Sequence, residues 1–360
     1  MPIIDLDSQP EPLILVSGVS GFIGAHVART LLERGYNVRG TIRSASKGQE
    51  LAKLLNDLPG TFEFVVVEEV SREGAFDEAI RGVDAVLHLA SPFILDGDES
   101  TEIIQPAVKG TLGILESIKK HGSDKVKRVI ITSSTAAIGH PLPAHFSEED
   151  WNTAAIKEAS ELGKKASLPV QYCASKALAE KAAWSFVSSN QPLAWDLVVL
   201  NFPFVFGPTV SAVKAPTGLG ASAGGWYQTV MTQDAGGKSS AELDSRNLPW
   251  IDVRDAAEAQ ARALAKENAG GERIIVMSGP SSWQEWLDVA NSLDPMPYSK
   301  HPLARGIPGS GTCSASDPSC TSEKAKRILG MSNDGEAEWK FKTKLETARD
   351  ILIDYETRGW

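Results

Sequence analysis

Tyr172 and Lys176 stand four residues apart in the run Tyr172-Cys173-Ala174-Ser175-Lys176. On a helix that spacing puts both side chains on one face. A phenol ordinarily titrates at about 10, too high to exchange protons readily at neutral pH. A neighbouring ammonium stabilises the phenolate and lowers that value, which makes the pair a source and sink of protons. A second set of hydroxyls, Ser133, Ser134 and Thr135, follows the apolar run Val129-Ile130-Ile131-Thr132. A hydroxyl at the carboxyl end of a strand can donate to a carbonyl oxygen as negative charge develops on it. Spacing does not decide which of the three would face a substrate. Phenol, ammonium and hydroxyl together are the parts needed to polarise and protonate a carbonyl.

These side chains need a scaffold, and the stretch from Leu13 to Arg43 supplies its pattern. The apolar run Leu13 to Val16 ends in a turn with Gly18, Gly21 and Gly24. Phe22, Ile23, Val27, Leu31 and Leu32 then recur at helical spacing, Gly35 closes the helix, and Tyr36 to Ile42 reads as a second strand. Strand, glycine turn, helix and strand form the unit that seats a dinucleotide pyrophosphate on a helix N-terminus. Gly18 permits the tight turn, Gly21 lets phosphates approach the backbone, and Gly24 allows close helix-to-strand packing. The spacing is G-x-x-G-x-x-G rather than the commoner G-x-G-x-x-G. NAD-binding units end their second strand in an acidic residue that accepts from the ribose hydroxyls. Here the strand ends in Thr41, Ile42 and Arg43, with Lys47 close behind. A carboxylate would repel a 2′-phosphate, whereas a guanidinium grips it with paired hydrogen bonds. The expected cofactor is therefore NADP(H).

A further strand, Ala85 to Leu89, runs into Ala90, Ser91, Pro92 and Phe93. Small residues there let a cofactor lie close to the backbone, and Phe93 can wall a carbonyl pocket. His88, between Leu87 and Leu89, reads as a hydrogen-bonded core histidine rather than a general acid. Of nine tryptophans, most are core or lid material. Trp226, beside Tyr227 in a glycine-rich stretch, is the one expected to meet substrate. No His, Cys and carboxylate cluster has metal-ligand spacing, so a metal-free site is expected.

The formal net charge of −10 argues against non-specific binding to nucleic acid or anionic membrane, both of which need a basic footprint. No apolar stretch approaches membrane-spanning length. Met1 to Pro12, with three carboxylates and three prolines, resembles neither a signal nor a transit peptide. The three cysteines (Cys173, Cys313, Cys320) are an odd, sparse set; whether Cys313 and Cys320 pair is open. A cytoplasmic protein, monomer or homodimer, is expected.

Short apolar runs at Phe62 to Val67, Ala85 to Leu89, Val129 to Thr132 and Leu197 to Leu200 alternate with helical patterns at Ala75 to Arg81, Ile103 to His121 and Ser175 to Ser189. Alternation without a period of two implies a parallel sheet covered on both faces. Residues 207 to 248 are rich in Gly, Ser, Ala and Pro, with one helix around Trp226 to Thr232. Trp250 to Lys266 resumes a strand and helix, and Arg273 to Met277 is another strand. The tail offers a loop from Pro295 to Pro318, a short helix at Ser322 to Leu329 and a final helix at Glu336 to Arg358. The expected organisation is a dinucleotide-binding domain over residues 1–200 and 249–270. An interleaved substrate-binding region takes residues 201–248 and 271–360.

Taken together, GVSGFIG (Gly18 to Gly24), HLASPF (His88 to Phe93), PAVKGT (Pro106 to Thr111), ITSS (Ile131 to Ser134), YCASKALAEKAAW (Tyr172 to Trp184), FVFGP (Phe204 to Pro208) and WIDVRDAA (Trp250 to Ala257) resemble the extended short-chain dehydrogenase/reductases. Within them the match is closest to the dihydroflavonol-reductase-like branch, especially fungal-type methylglyoxal/aldehyde ketoreductases, and it runs from about Leu13 to Leu329 in order. The resemblance implies an α/β fold with a Rossmann-type doubly wound parallel sheet and a smaller C-terminal substrate-binding region. It implies a catalytic triad of Ser134, Tyr172 and Lys176, with Lys176 also holding the nicotinamide ribose. Gly18, Ser20, Gly21, Phe22 and Ile23 would wrap the pyrophosphate, with Gly24 behind them. Arg43 and Lys47 would hold the 2′-phosphate, and Leu89, Ala90, Ser91 and Thr132 would border the ribose and nicotinamide. Two positions depart from the pattern. Glu69, followed by Val70, stands where the family has Asp beside the adenine. Phe202 stands where it favours proline, with Pro203 displaced by one; Phe202 and Val205 are still expected to flank the nicotinamide.

The implied activity is NADPH-dependent reduction of an aldehyde or ketone, with Tyr172 donating the proton and Ser134 fixing the oxygen. Phe93, Phe204 and Trp226, aromatic and uncharged, suggest an apolar substituent on the substrate. Two other readings stay open. A sugar-nucleotide epimerase or dehydratase would read the ribose of NAD with an acid, against Arg43. A non-catalytic NADP(H)-sensing protein tends to lose the tyrosine.

Overall fold

A computed structural model of the chain describes residues 4, 6, 11–91, 103–139, 145–211, 213–314, 320 and 322–360. The first half runs β1 (Leu13–Ser17), α1 (Phe22–Glu33), β2 (Asn37–Ile42), α2 (Ala45–Leu55), β3 (Phe62–Val66), β4 (Ala85–His88), α3 (Ile104–His121) and β5 (Arg128–Ser134). It continues with α4 (Thr153–Leu162), α5 (Leu168–Ser189), β6 (Asp196–Phe202), β7 (Phe204–Phe206), α6 (Ala221–Met231), α7 (Ser240–Asp244), β8 (Trp250–Asp252) and α8 (Val253–Ala265). The remainder is β9 (Arg273–Ile275), α9 (Trp283–Asn291), β10 (Met331–Ser332), β11 (Trp339–Lys340) and α10 (Lys344–Arg358). Among the described residues, no helix is long and apolar enough to cross a membrane.

Seven strands form one parallel sheet in the order β3-β2-β1-β4-β5-β6-β9. Successive side chains alternate between its two faces. Ile14, Val16, Ala85, Leu87, Ile130, Val198 and Leu200 share one core with α1 and α8. Leu15, Val86, Val129, Ile131, Leu197 and Val199 face the other core, with α3 and α5. Each strand is thus apolar on both sides, which explains why the sequence shows continuous runs there. The strand order reverses between β1 and β4, the switch point where open α/β sheets hold ligands at the carboxyl ends of their strands. A separate core is built from Phe206, Trp226, Trp250, Trp286, Leu352 and Tyr355, where α6, α9 and α10 meet.

Several elements differ from expectation. Residues 75–81 form consecutive turns rather than a helix. Gly74 and Gly82, both at positive φ, bracket a stretch too short to nucleate one, although Phe76, Ala79 and Ile80 are still buried. The helix expected from Ser175 begins seven residues earlier, with a proline in its first turn. The final helix starts at Lys344 because Thr343 and Glu346 form a capping box there, and Trp339–Lys340 pairs with β10 instead. β9, grouped in the sequence with the substrate region, is the seventh strand of the central sheet. No disulfide forms at Cys173, Cys313 or Cys320.

Candidate active site

The glycine turn is built as its spacing implies. Gly18 adopts φ +69°, and a Cβ there would come within 3.0 Å of the Ala90 backbone. A Cβ on Gly24 would sit 2.4 Å from the Gly18 carbonyl oxygen, so no larger residue fits. Gly21 caps α1 without a side-chain acceptor, and no acidic residue lies in the first turn. The helix therefore presents bare N–H groups and a positive dipole end, an anion cradle. It opens on a cavity of about 510 Å³. Gly18, Ser20, Gly21 and Phe22 line one wall, Arg43 and Lys47 another, and Leu89, Ala90 and Ser91 a third. Arg43 and Lys47 are exposed.

The catalytic candidates come together where the end of β5 meets α5. The Ser134 side chain approaches the Tyr172 hydroxyl closely enough to pull the phenol's pKa down, and Ser134 Oγ accepts from Ala136 N at 3.1 Å. Tyr172 and Lys176 are both half-buried on α5. Ala90 and Ser91 wall the large cavity and also a small one of about 20 Å³ that Lys176 lines. The triplet of hydroxyls is resolved by tertiary contacts: Ser134 faces the phenol, whereas Ser133 Oγ donates to Glu180 at 2.5 Å.

Electrostatics differ from the simple expectation of a lowered phenol. Burial pushes Tyr172 up, and the Ser134 hydrogen bond pulls it part of the way back. The phenol is therefore protonated at neutral pH, the state a proton donor must start from. Burial pushes the Lys176 ammonium down to about 8, opposed by the charge of Glu180. Glu180 is 1% exposed and accepts from Asn201 Nδ2 at 2.8 Å and from Arg273 Nε, as well as from Ser133. Asn201 Nδ2 also reaches the Ser134 carbonyl at 3.1 Å. Arg273 stacks 3.7 Å over the Trp151 ring. One buried carboxylate thus ties the helix of Tyr172 and Lys176 to the strand of Ser134. The sequence reading missed Glu180, Asn201 and Arg273. The visible signal was a carboxylate one helical turn beyond Lys176.

His88 is the core residue expected. Ser17 Oγ accepts from Leu89 N and Ala90 N, both at 3.0 Å, so its own proton goes to His88 Nδ1 at 2.8 Å. That leaves the Nε2–H tautomer. Burial, and secondarily Lys176, push His88 down to about 3, so it stays neutral.

Other expected contacts are corrected or refined. Trp226 is fully buried, packed edge-on to Trp286 and Tyr355; it belongs to the second core and cannot touch substrate. Phe202 and Val205 bury their side chains in the main core, at 2% and 4% exposure. Thr132 turns its hydroxyl to Gln260 of α8 at 2.5 Å. Glu69 is exposed and accepts from Ser71; at that end the cavity is walled by Val67 and Val70. Ile23 packs on the main core and Gly24 on the turn itself. Phe204, two residues beyond the Phe202–Ser134 pair and itself paired with Trp250 of β8, is 40% exposed and lies against Phe206 and Trp283. Phe93 lies outside the described residues. The wall formed by Thr209, Ser211, Val213 and Leu219 had not been expected, because that stretch carries no periodic pattern.

Over residues 14–278 the sequence matches the NAD dependent epimerase/dehydratase family. The chain belongs to that family. Among its members it is 34% identical over 363 residues to the NADPH-dependent methylglyoxal reductase GRE2 of Saccharomyces cerevisiae, covering 96% of this chain and 99% of that protein. It is 33% identical over 334 residues to the ketoreductase azaE of Aspergillus niger, covering 88% and 92%. The crystal structure of Gre2 in complex with NADPH from Candida albicans superposes with a TM-score of 0.81 at 30% identity, covering 97% of this chain and all of that one (100%). These likenesses place this epimerase/dehydratase-family chain in the extended short-chain dehydrogenase/reductase class, with its Rossmann-type sheet.

Proposed function

We propose that this chain is an NADPH-dependent carbonyl reductase in which Tyr172 is the proton donor, Ser134 fixes the carbonyl oxygen and Lys176 positions both phenol and ribose. The structure fits such a cofactor on three counts. Gly18 and Gly24 leave room only for bare backbone, the α1 N-terminus is uncapped, and two cations line the 510 Å³ cavity. Gly18, Ser20, Gly21 and Phe22 would hold the pyrophosphate, Arg43 and Lys47 the 2′-phosphate, and Leu89 to Ser91 the nicotinamide side. When bound, NADPH supplies the hydride that reduces a carbonyl carbon to the alcohol. The chain's own residues do the rest. The Tyr172 hydroxyl, kept protonated by burial, gives its proton to the carbonyl oxygen. Ser134 Oγ donates to the same oxygen as charge builds on it. The Lys176 ammonium stabilises the phenolate left behind. Phe204 offers an exposed ring to an apolar substituent of an aldehyde or ketone.

The observation that carries this reading is the approach of Ser134 at the end of β5 to the Tyr172 hydroxyl on α5, one helical turn from Lys176, whose small cavity shares Ala90 and Ser91 with the large one. Incubation with NADPH and a panel of aldehydes and ketones, following nicotinamide absorbance, tests it. Steady oxidation with NADPH and little with NADH is expected. Tyr172→Phe should abolish turnover while leaving cofactor binding intact. Arg43→Asp should shift preference toward NADH by roughly 1–3 kcal/mol, the order of a charged hydrogen bond. Cofactor binding by the unaltered protein without turnover of any carbonyl would reject the reductase reading.

A further inference from the structure

We propose that the last helix of the chain is part of the cofactor site: Asp354 and Arg358 hold the backbone at Thr209 and Val213 so that the Thr209 hydroxyl binds the phosphate and ribose oxygens of the dinucleotide. The proposal rests on the reductase reading of the cavity.

Thr209 lines that cavity together with the residues of the glycine turn. Thr209 is 4% exposed, and its Oγ1 is buried with no hydrogen-bond partner among the described residues. Buried hydroxyls are nearly always partnered, so an orphan on the wall of a ligand cavity points to a partner that arrives with the ligand. The backbone of Thr209 is held on both sides by α10. Its N–H donates to Asp354 Oδ2 at 2.9 Å, and its carbonyl accepts from Arg358 Nη2. Arg358 Nη1 donates to the Val213 carbonyl at 3.1 Å. Arg358 Nε and Asp354 Oδ1 are themselves joined at 2.7 Å, one helical turn apart and mostly buried. Two side chains therefore fix Thr209 and Val213, and the described residues between Gly207 and Ala215 form no regular secondary structure. The helix can act as an anchor because Ile351, Leu352 and Tyr355 sit in the second core. The C-terminal helix thereby sets where a hydroxyl stands, about 145 residues earlier in the chain.

The test is calorimetric titration of the full-length protein with NADP⁺, together with melting curves with and without it. Thr209→Val removes the hydroxyl at nearly constant shape and should weaken NADP⁺ by about tenfold. Because an unpartnered buried hydroxyl is removed, the cofactor-free melting temperature should hold or rise while the NADP⁺-induced increment shrinks. A role in the fold alone would give the opposite pattern. Thr209→Ser keeps the oxygen and should recover most of the affinity. Arg358→Met should weaken NADP⁺ in the wild-type background but add little on top of Thr209→Val, since it acts through that residue. If Arg358→Met does not fold, Arg358→Lys, which keeps one donor, takes its place in the cycle. An unchanged dissociation constant for Thr209→Val overturns the hydroxyl contact, and fully additive losses overturn the clamp. Failure of the unaltered protein to bind NADP⁺ overturns the reductase reading along with this one. Normal binding by the wild type that is untouched in Thr209→Val removes this inference alone.

Discussion

Replacing Glu180 by Gln should move the alkaline limit of activity toward neutral pH. Lys176 and Glu180 lie four residues apart on α5, so their Cβ atoms are about 5–6 Å apart. A unit charge at about 6 Å in an effective dielectric of about 20 contributes roughly 3 kcal/mol, or about two pKa units. Arg273 binds the same carboxylate and cancels part of its field, so about one unit is a fair expectation. The sign follows from charge: without the carboxylate, the ammonium is less stable and gives up its proton earlier. Lys176 starts at about 8, so the limb should fall to about 7. The assay is kcat/KM with NADPH as the varied substrate, from weakly acidic to weakly alkaline pH, which reports groups on the free enzyme. Arg273 would be left buried beside an uncharged amide, at a stability cost of up to about 3–5 kcal/mol. Denaturant unfolding should therefore accompany the kinetics, with Glu180→Gln/Arg273→Met as a second variant that removes both charges. A limb at the same pH in wild type and both variants, or one displaced to higher pH, would refute the assignment of Glu180 as the counter-charge.

Asp255 is fully buried, and burial, then the nearby Asp252 charge, push its carboxyl up to about 7. The folded state then binds its proton more tightly than the unfolded one, so this stabilisation is present in acid and is lost as pH rises from about 4 through 7. The loss is on the order of 4 kcal/mol. Asp255→Asn should flatten the fall in melting temperature across that window; equal slopes in both proteins would count against it. Trp226→Ala should cost about 3–5 kcal/mol of unfolding free energy. Phe204→Ala, at an exposed ring, should change KM for the carbonyl substrate with little change in melting temperature. The reverse result for this pair would return Trp226 to the substrate pocket.

Local pattern made much of the chain legible. The glycine turn, its flanking strands and helix, and the cations at Arg43 and Lys47 are contiguous, and their spacing alone implies an anion-binding strand–turn–helix. Tyr172 and Lys176 are close in sequence because a helix makes them close in space. What the reading misplaced depends on partners distant in the chain. Trp226 looks like lid material beside its glycines, yet α9 and α10 close over it. Thr132 looks like a cofactor contact until α8 brings Gln260 to its hydroxyl. The turns at residues 75–81 carry a helical pattern that two left-handed glycines cut short.

By itself, then, the order of residues determined the first strand–turn–helix–strand unit, the cofactor class and the phenol–ammonium pair, since each is encoded within about thirty residues of chain by periodicity and backbone geometry. Only the tertiary structure decided that Ser134 rather than Ser133 meets the phenol, that Glu180 sits beneath Lys176, and that the final helix grips Thr209. Those choices turn on side chains from strands and helices up to about 145 residues apart meeting in a low-dielectric interior. There an unpaired polar group is costly, and nothing in local spacing tells which partner will satisfy it.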